Sequence, residues 1–105
     1  MYVCQWHLDF VYGRQSEAIA AMKAWGAEKF ASSEFRRAKS NRLLVGHVGL
    51  SPSHVVDEYE FESLADFEAA LAGMSAPQFR RHSDALAPFV VAGSQHWRVL
   101  RVVAP

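Results

Sequence analysis

The chain has 105 residues, of which half are hydrophobic and 12% are aromatic, and its 11 basic residues balance its 11 acidic ones. This length and apolar content fit one domain with its own core and exclude a disordered chain. The zero net charge gives no electrostatic reason to expect nucleic acid or an anionic membrane as a partner. No apolar run approaches the ~20 residues of a membrane span, no signal-peptide pattern is present, and a single cysteine cannot form an internal disulfide. We therefore expect a cytoplasmic protein with no nucleic-acid or membrane partner.

The first half of the chain is predicted to form a strand, a helix and a β-hairpin. Alternation of large apolar and polar residues predicts a strand over about residues 2–12. Apolar residues at helical spacing, in an alanine-rich background, predict a helix over about residues 14–31. We interpret residues 34–41 as a loop or a frayed strand start. A Ser-Pro-Ser turn then joins a second strand, residues 42–50, to a third, residues 55–61.

The second half reads as two helices and a strand. Ser63 and Asp66 resemble a capping box and predict the start of a second helix. The buried stripe of that helix is predicted to comprise Leu64, Phe67, Leu71 and Met74. Residues 75–78 combine a cap residue with an early proline, and begin a short third helix that ends near Leu86. A fourth strand is predicted over residues 94–103.

The order of these elements is βαββα(α)β, which is typical of a ferredoxin-like α+β sandwich. In this fold class an antiparallel sheet carries its helices on one face. We expect the first and third strands to be central and parallel to each other. The chain contains no linker long enough to separate a pair of domains, so residues 1–105 are expected to form one domain.

A family resemblance rests on the element order, the length and the segment EYEFESLADFEAALAGM, residues 58–74, followed by a short helix containing a proline. These features resemble the dimeric α+β barrel superfamily, and within it the NIPSNAP-type and stress-responsive barrel proteins. The resemblance implies a homodimer in which two sheets close into a barrel, and in many members a ligand pocket between sheet and helices. Members include cofactor-free monooxygenases, polyketide cyclases, lactone isomerases and haem-degrading enzymes, so the fold alone does not name a reaction.

The catalytic residues of two of these classes do not carry over to this chain. Cys4, Val55 and Phe79 stand where cyclase-like members would have histidines. The haem-degrading members use an Asn, a Trp and a His, and the only asparagine here is Asn41, at the edge of a predicted strand. Both departures count against those chemistries.

Wide aromatic side chains are expected on the sheet face that packs against the helices. Two interpretations are open: a filled hydrophobic core, or a ligand pocket. Buried Trp and Tyr have polar tips that need partners, and rings with a few polar tips are typical of small-molecule sites. The candidate pocket residues are Cys4, Trp6, Trp25, Tyr59 and Trp97.

The candidate catalytic residue is His82. It follows Phe79 and precedes Leu86 at helical spacing, which puts it on or beside the buried stripe of the short helix. An imidazole with its ordinary pKa of about 6.5 can exchange protons near neutral pH. The alternative is a half-buried histidine bonded to a backbone carbonyl.

The opposite face of the sheet is polar. It should hold Gln5, His7, Asp9, Glu58 and Glu60. In a dimeric barrel this face lies between two sheets, where charges must be paired, so we expect a polar network there. A lone His-x-Asp pair does not make a metal site, and no phosphate loop or paired-cysteine motif occurs, so neither metal nor cofactor is expected.

These observations lead to one functional hypothesis with two alternatives. The hypothesis is a small-molecule-binding dimeric barrel protein, in the form of a cofactor-independent enzyme of the monooxygenase, cyclase or isomerase type acting on an aromatic or polyketide-like compound. The first alternative is a non-catalytic interaction dimer with a filled core. The second is a haem-binding, haem-degrading monooxygenase, in which His82 would be required for haem binding.

Overall fold

The computed structural model describes residues 1–104, in which a four-stranded sheet carries the helices on one face. The strands and α-helices are β1 (Tyr2–Asp9), α1 (Gln15–Ser32), β2 (Ser40–Val45), β3 (His54–Phe61), α2 (Leu64–Gly73), α3 (Arg80–Leu86) and β4 (His96–Arg101). Short 3-10 helices lie at Glu34–Arg37, Pro77–Phe79 and Ala87–Phe89. This is the predicted ferredoxin-like α+β fold. No helix within residues 1–104 has the length and apolar character needed to cross a membrane.

The strand order in the sheet is β2-β3-β1-β4, so β1 and β3 are central, as predicted. The expectation that they run parallel is wrong, because β1 pairs antiparallel with both β3 and β4. The crossover through α1 makes β1 and β2 run the same way, and the hairpin then reverses β3. The register places Cys4 opposite Tyr59 and Trp6 opposite both Asp57 and Trp97.

Three strands are shorter than predicted. Beyond β1, Phe10 forms only an isolated bridge to Val90. Beyond β2, the backbone N–H of Gly46 donates to the carbonyl of His54 at 2.9 Å, and the chain turns away. β4 is likewise confined to His96–Arg101.

The segment predicted as a loop or frayed strand contains a short 3-10 helix, Glu34–Arg37. The hydroxyl of Ser33 accepts the backbone N–H of Phe35 at 3.1 Å and so caps the start of this turn. Phe35 is fully buried as a result.

The predicted cap of the second helix is confirmed, since the hydroxyl of Ser63 accepts the backbone N–H of Asp66 at 3.1 Å. The predicted stripe of α2 is wrong at two positions. Phe67 is buried, but Leu64 and Leu71 are 42% and 37% exposed, because they lie to one side of the face that α2 presents to the sheet.

The core consists of two groups of buried side chains on the helix-facing side of the sheet. One is centred on Trp6, Leu8 and Phe10, and the other on Tyr59 and Phe61. Trp97 and Met74 pack against both groups. The alternation of β4 also predicts Val99 among these residues, but Val99 is 43% exposed on this edge strand.

Candidate functional site

Three tryptophans from three different elements meet between the sheet and the helices. Trp6 and Trp97 are register partners on neighbouring strands, and their rings stack at 6.1 Å with an interplanar angle of 15°. Trp25 from α1 meets the ring of Trp6 edge-on at 5.6 Å. Together they border a cleft of 140 Å³, which we call the tryptophan cleft. Its lining comprises Trp6, Trp25, Lys29, Phe35, Leu71, Met74, Gln95 and Trp97.

The indole N–H of Trp25 is buried and has no hydrogen-bond partner among residues 1–104. An unpaired buried donor costs about 1–3 kcal/mol. The ring of Trp25 borders two further clefts on its α3 side, of 200 and 390 Å³. An acceptor on a molecule bound beside this ring would remove that cost.

A buried lysine from α1 completes the wall of the tryptophan cleft. Lys29 is 3% exposed, and its Nζ lies 4.6–5.1 Å from the ring centroids of Trp25, Trp6 and Phe35. The ring of Tyr59 is 5.5 Å away. Aromatic faces attract a cation at such distances, so this surrounding favours the ammonium form.

The polar partners of Lys29 come from the sheet. The hydroxyl of Tyr59 donates to Asp57 Oδ2 at 2.6 Å and accepts from Lys29 Nζ at 3.3 Å, while Nζ lies 3.7 Å from the same carboxylate oxygen. The side-chain amide of Asn41 donates to Asp57 Oδ1 at 2.8 Å. We call these four residues, Lys29, Asn41, Asp57 and Tyr59, the Lys29 cluster.

Two opposing effects set the protonation of Lys29. Burial lowers its pKa, and the carboxylate of Asp57 raises it in part. Burial and the neighbouring Asp57 raise the pKa of Tyr59 far above its usual value, so its hydroxyl stays protonated.

The Lys29 cluster separates two spaces. A second cleft of 290 Å³ lies between α1 and the β2 and β3 strands, and both Asn41 and Asp57 border it. Gly26 of α1 also borders this cleft, and a Cβ atom there would meet nothing within 4 Å. Lys29 therefore borders one cleft and its carboxylate partner borders the other.

Sequence patterns alone did not single out Lys29 and Asp57. A signal for each was present: Lys29 follows Trp25 by four residues, and Asp57 shares the alternating face of Tyr59 and Phe61. What the pattern could not show is that the two charges meet.

The structure separates the predicted pocket residues into two groups. Trp6, Trp25 and Trp97 line the tryptophan cleft. Tyr59 does not line it, but its hydroxyl accepts a hydrogen bond from Lys29, which does. Cys4 is fully buried in the core, where burial raises the pKa of its thiol to about 11. A thiol with such a pKa is protonated at neutral pH and is a poor nucleophile.

His82 lies against α1 and is not part of the lining of the tryptophan cleft. Its Nε2 contacts the carboxylate of Glu28, which also accepts from Arg81 at 3.0 Å. The imidazole stacks on the ring of Trp25, with centroids 6.2 Å apart and an interplanar angle of 9°. This arrangement supports the position of Trp25, and a catalytic role for His82 stays a prediction.

On the opposite face, a chain of hydrogen bonds runs across the sheet. Asp9 Oδ1 contacts His54 Nδ1 at 2.8 Å, and His54 Nε2 contacts His7 Nδ1 at 2.9 Å. His7 Nε2 contacts Gln5 Oε1 at 2.9 Å, and the amide of Gln5 donates to Glu58 at 2.8 Å. The structure thus brings together four of the five predicted network residues.

His54 follows the Ser-Pro-Ser turn, where an exposed side chain would be expected, but its side chain is only 12% exposed and links His7 to Asp9. Glu60 lies on the same face, opposite Val3, but outside this chain of bonds. His96 stacks on His7 at 4.9 Å.

The surroundings of His7 favour the neutral form of its imidazole. Burial is the main cause of its lowered pKa, and His54, His96 and Arg98 lower it further. Within residues 1–104, no three His, Cys, Asp or Glu side chains are arranged to hold a metal ion.

Comparison with known proteins finds similarity in structure only. No protein-family model and no curated protein sequence matches the chain. A NIPSNAP domain protein from Burkholderia xenovorans superposes with a TM-score of 0.78 at 15% identity, covering 99% of this chain and 96% of that one. A NIPSNAP family protein from Agrobacterium tumefaciens superposes with a TM-score of 0.74 at 17% identity, covering 97% of this chain and 92% of that one. SnoaB, a cofactor-independent oxygenase from Streptomyces nogalater, superposes with a TM-score of 0.69 at 18% identity, covering 99% of this chain and 95% of that one. The chain therefore has the ferredoxin-like α+β fold of these two NIPSNAP proteins and of SnoaB.

Proposed function

We propose that the protein binds a small aromatic or polyketide-like compound in the tryptophan cleft. The observation that carries the proposal is that three tryptophan rings and a buried lysine border one cleft, and that one of these rings, Trp25, has a buried indole N–H without a partner among the residues described. Apolar walls with a few polar groups are typical of small-molecule sites. The volume of 140 Å³ is similar to the ~150 Å³ of an apolar cavity that holds benzene. The cleft therefore suits one aromatic ring, and larger substituents would extend from its open side.

The proposal includes a reaction that needs no cofactor, of the monooxygenase, cyclase or isomerase type. Support comes from the fold shared with SnoaB, which is a cofactor-independent oxygenase. Further support comes from the Lys29 cluster, because a proton-exchanging side chain beside an aromatic compound is what such chemistry requires. A filled core, the first alternative, would leave no such cleft.

Binding is tested by isothermal titration calorimetry with 1-naphthol. Wild-type protein is expected to bind, and Trp97→Leu is expected to bind about tenfold more weakly, because an aromatic contact contributes up to ~1.5 kcal/mol. The control is Tyr12→Ala, which removes an aromatic ring that is 90% exposed and should leave affinity unchanged. Absence of binding to the wild type, or equal affinity in Trp97→Leu, would contradict the proposal.

The proposal also includes the homodimer implied by the family resemblance, with the polar face of the sheet turned toward a second copy. His7 is 8% exposed on this face although no helix covers it, while Leu100 on the same face is 52% exposed. Polar side chains that are hydrogen-bonded to one another, next to exposed apolar side chains, are suited to burial against the sheet of a second copy. Sedimentation velocity should give twice the mass of one chain, and the mass of a single chain would contradict the proposed dimer.

A further inference from the structure

We infer that His7 and His54 together hold one proton more than two neutral imidazoles do, and that this excess proton makes the polar face of the sheet a pH-dependent surface for contact with a second copy of the chain. The proton count follows from the hydrogen bonds within one copy. The effect on assembly rests on the proposed function, because the proposed homodimer turns this face toward its partner.

The two ends of the bonded chain decide where hydrogens lie. The carboxylate of Glu58 only accepts, so Gln5 directs its amide nitrogen to Glu58 and its carbonyl oxygen, Oε1, to His7. Because Oε1 cannot donate, His7 Nε2 carries a hydrogen. At the other end the carboxylate of Asp9 only accepts, so His54 Nδ1 also carries a hydrogen.

The contact between the two imidazoles requires a third hydrogen. His7 Nδ1 and His54 Nε2 lie 2.9 Å apart, so one of these nitrogens donates and the other accepts. Three hydrogens on the four ring nitrogens give the pair a single positive charge. His54 carries this charge, because its ring contacts the Asp9 carboxylate at 2.8 Å, whereas burial and neighbouring cations keep His7 neutral.

The surroundings oppose a second proton on His7. Its ring bonds to Gln5 and His54, and no carboxylate among residues 1–104 bonds to it. His96 stacks on it at 4.9 Å, and Arg98 is the register partner of Gln5 on β4. The helices lie on the other face of the sheet. The remaining charged side chains of this face are Arg42, which contacts Glu58, together with Glu58 itself and Glu60.

The chain of bonds is complete with one excess proton and is broken by a second. A second proton from solvent adds to His7 Nδ1, so that two N–H groups face each other and the bond between the rings is lost. Both rings are then positively charged at a ring separation of 5.1 Å. Between two sheets such unpaired donors find no water, so protonation of His7 should weaken the contact of the two copies.

Nitrogen-15 NMR of the imidazoles tests the proton count, because the shift of each ring nitrogen reports whether it carries a hydrogen. At pH 7, His54 should carry hydrogens on both nitrogens and His7 on Nε2 alone. In Asp9→Asn, the excess proton should be lost at a pH about one unit lower than in the wild type, because the stabilising carboxylate is gone. The exposed His47 is the internal reference and should be the same in both proteins.

Sedimentation velocity at pH 7 and pH 5 tests the effect on assembly. The dissociation constant of the wild-type dimer should rise about tenfold at pH 5, since each copy then has an unpaired group at the contact. His7→Gln combined with His54→Gln leaves only neutral amides at these positions and should bind equally at both pH values. The control is His96→Gln, which removes an exposed histidine of the same face and should keep the pH dependence.

The outcomes separate the inference from the proposed function. Two neutral imidazoles at pH 7 overturn the inference and leave the homodimer standing. So does a wild-type dimer of equal affinity at both pH values, or a pH dependence that His96→Gln abolishes. A wild-type monomer at both pH values overturns the proposed homodimer and, with it, the effect on assembly.

Discussion

Replacing Lys29 with methionine should lower the free energy of unfolding by about 3 kcal/mol, because it leaves the carboxylate of Asp57 buried without its cation. Removal of one partner of a buried ion pair costs about 3–5 kcal/mol. Lys29 and Asp57 are 3% and 5% exposed, so solvent cannot replace the lost partner. Two hydrogen bonds to Asp57, from Tyr59 and Asn41, survive the change, which places the cost at the lower end of the range.

Removing both charges of the pair should cost far less than removing one. Adding Asp57→Asn to Lys29→Met removes the stranded charge, so the double variant should lie within about 1 kcal/mol of the wild type. The two substitutions should therefore be strongly non-additive. In a domain of this size the loss in Lys29→Met corresponds to a melting temperature lower by about 12 °C.

Urea unfolding, extrapolated to water, measures these free energies, and a thermal scan gives an independent comparison. A loss below ~1 kcal/mol in Lys29→Met would mean that water reaches the pair, which would refute the burial on which the reasoning depends. Additive losses in the double variant would show that the two side chains do not interact.

Two glycines of the chain should respond in opposite directions to an added methyl group. Gly46→Ala should destabilise the protein by roughly 1–3 kcal/mol, because its Cβ would lie 2.0 Å from the backbone oxygen of Ser51. Gly26→Ala, in the middle of α1, should instead stabilise the protein by up to ~1 kcal/mol, because the added Cβ would meet nothing within 4 Å. Urea unfolding of both variants measures the two changes in the free energy of unfolding, and changes of the same sign and size would contradict the prediction. The second prediction concerns His7, whose pKa is lower in the folded protein than its ordinary 6.5. Between those two pKa values the unfolded chain binds more protons, so stability should fall as the pH drops below about 6.5 and be retained above it. His7→Gln should flatten that dependence in melting temperatures measured from pH 7.5 to 5, and an unchanged slope would show that another group is responsible.

Local sequence patterns determined the elements and their faces. Alternation in β1 separated Trp6 from His7, helical spacing predicted α1 to within a residue at each end, and the Ser63 cap marked the start of α2. These features depend on neighbours within one turn or one strand, and such interactions are encoded in short stretches of chain.

The tertiary structure decided which side chains meet. The pairing of Lys29 with Asp57 joins α1 to β3, and the contact of His7 with His54 joins two strands, across 28 and 47 positions of sequence. A pattern assigns each of these residues to a face, but the partner on that face depends on strand order and register, which are set by packing of the whole sheet against its helices. The sequence by itself therefore determined where polar and apolar side chains lie, and only the folded chain placed a buried lysine beside a carboxylate at the wall of the tryptophan cleft.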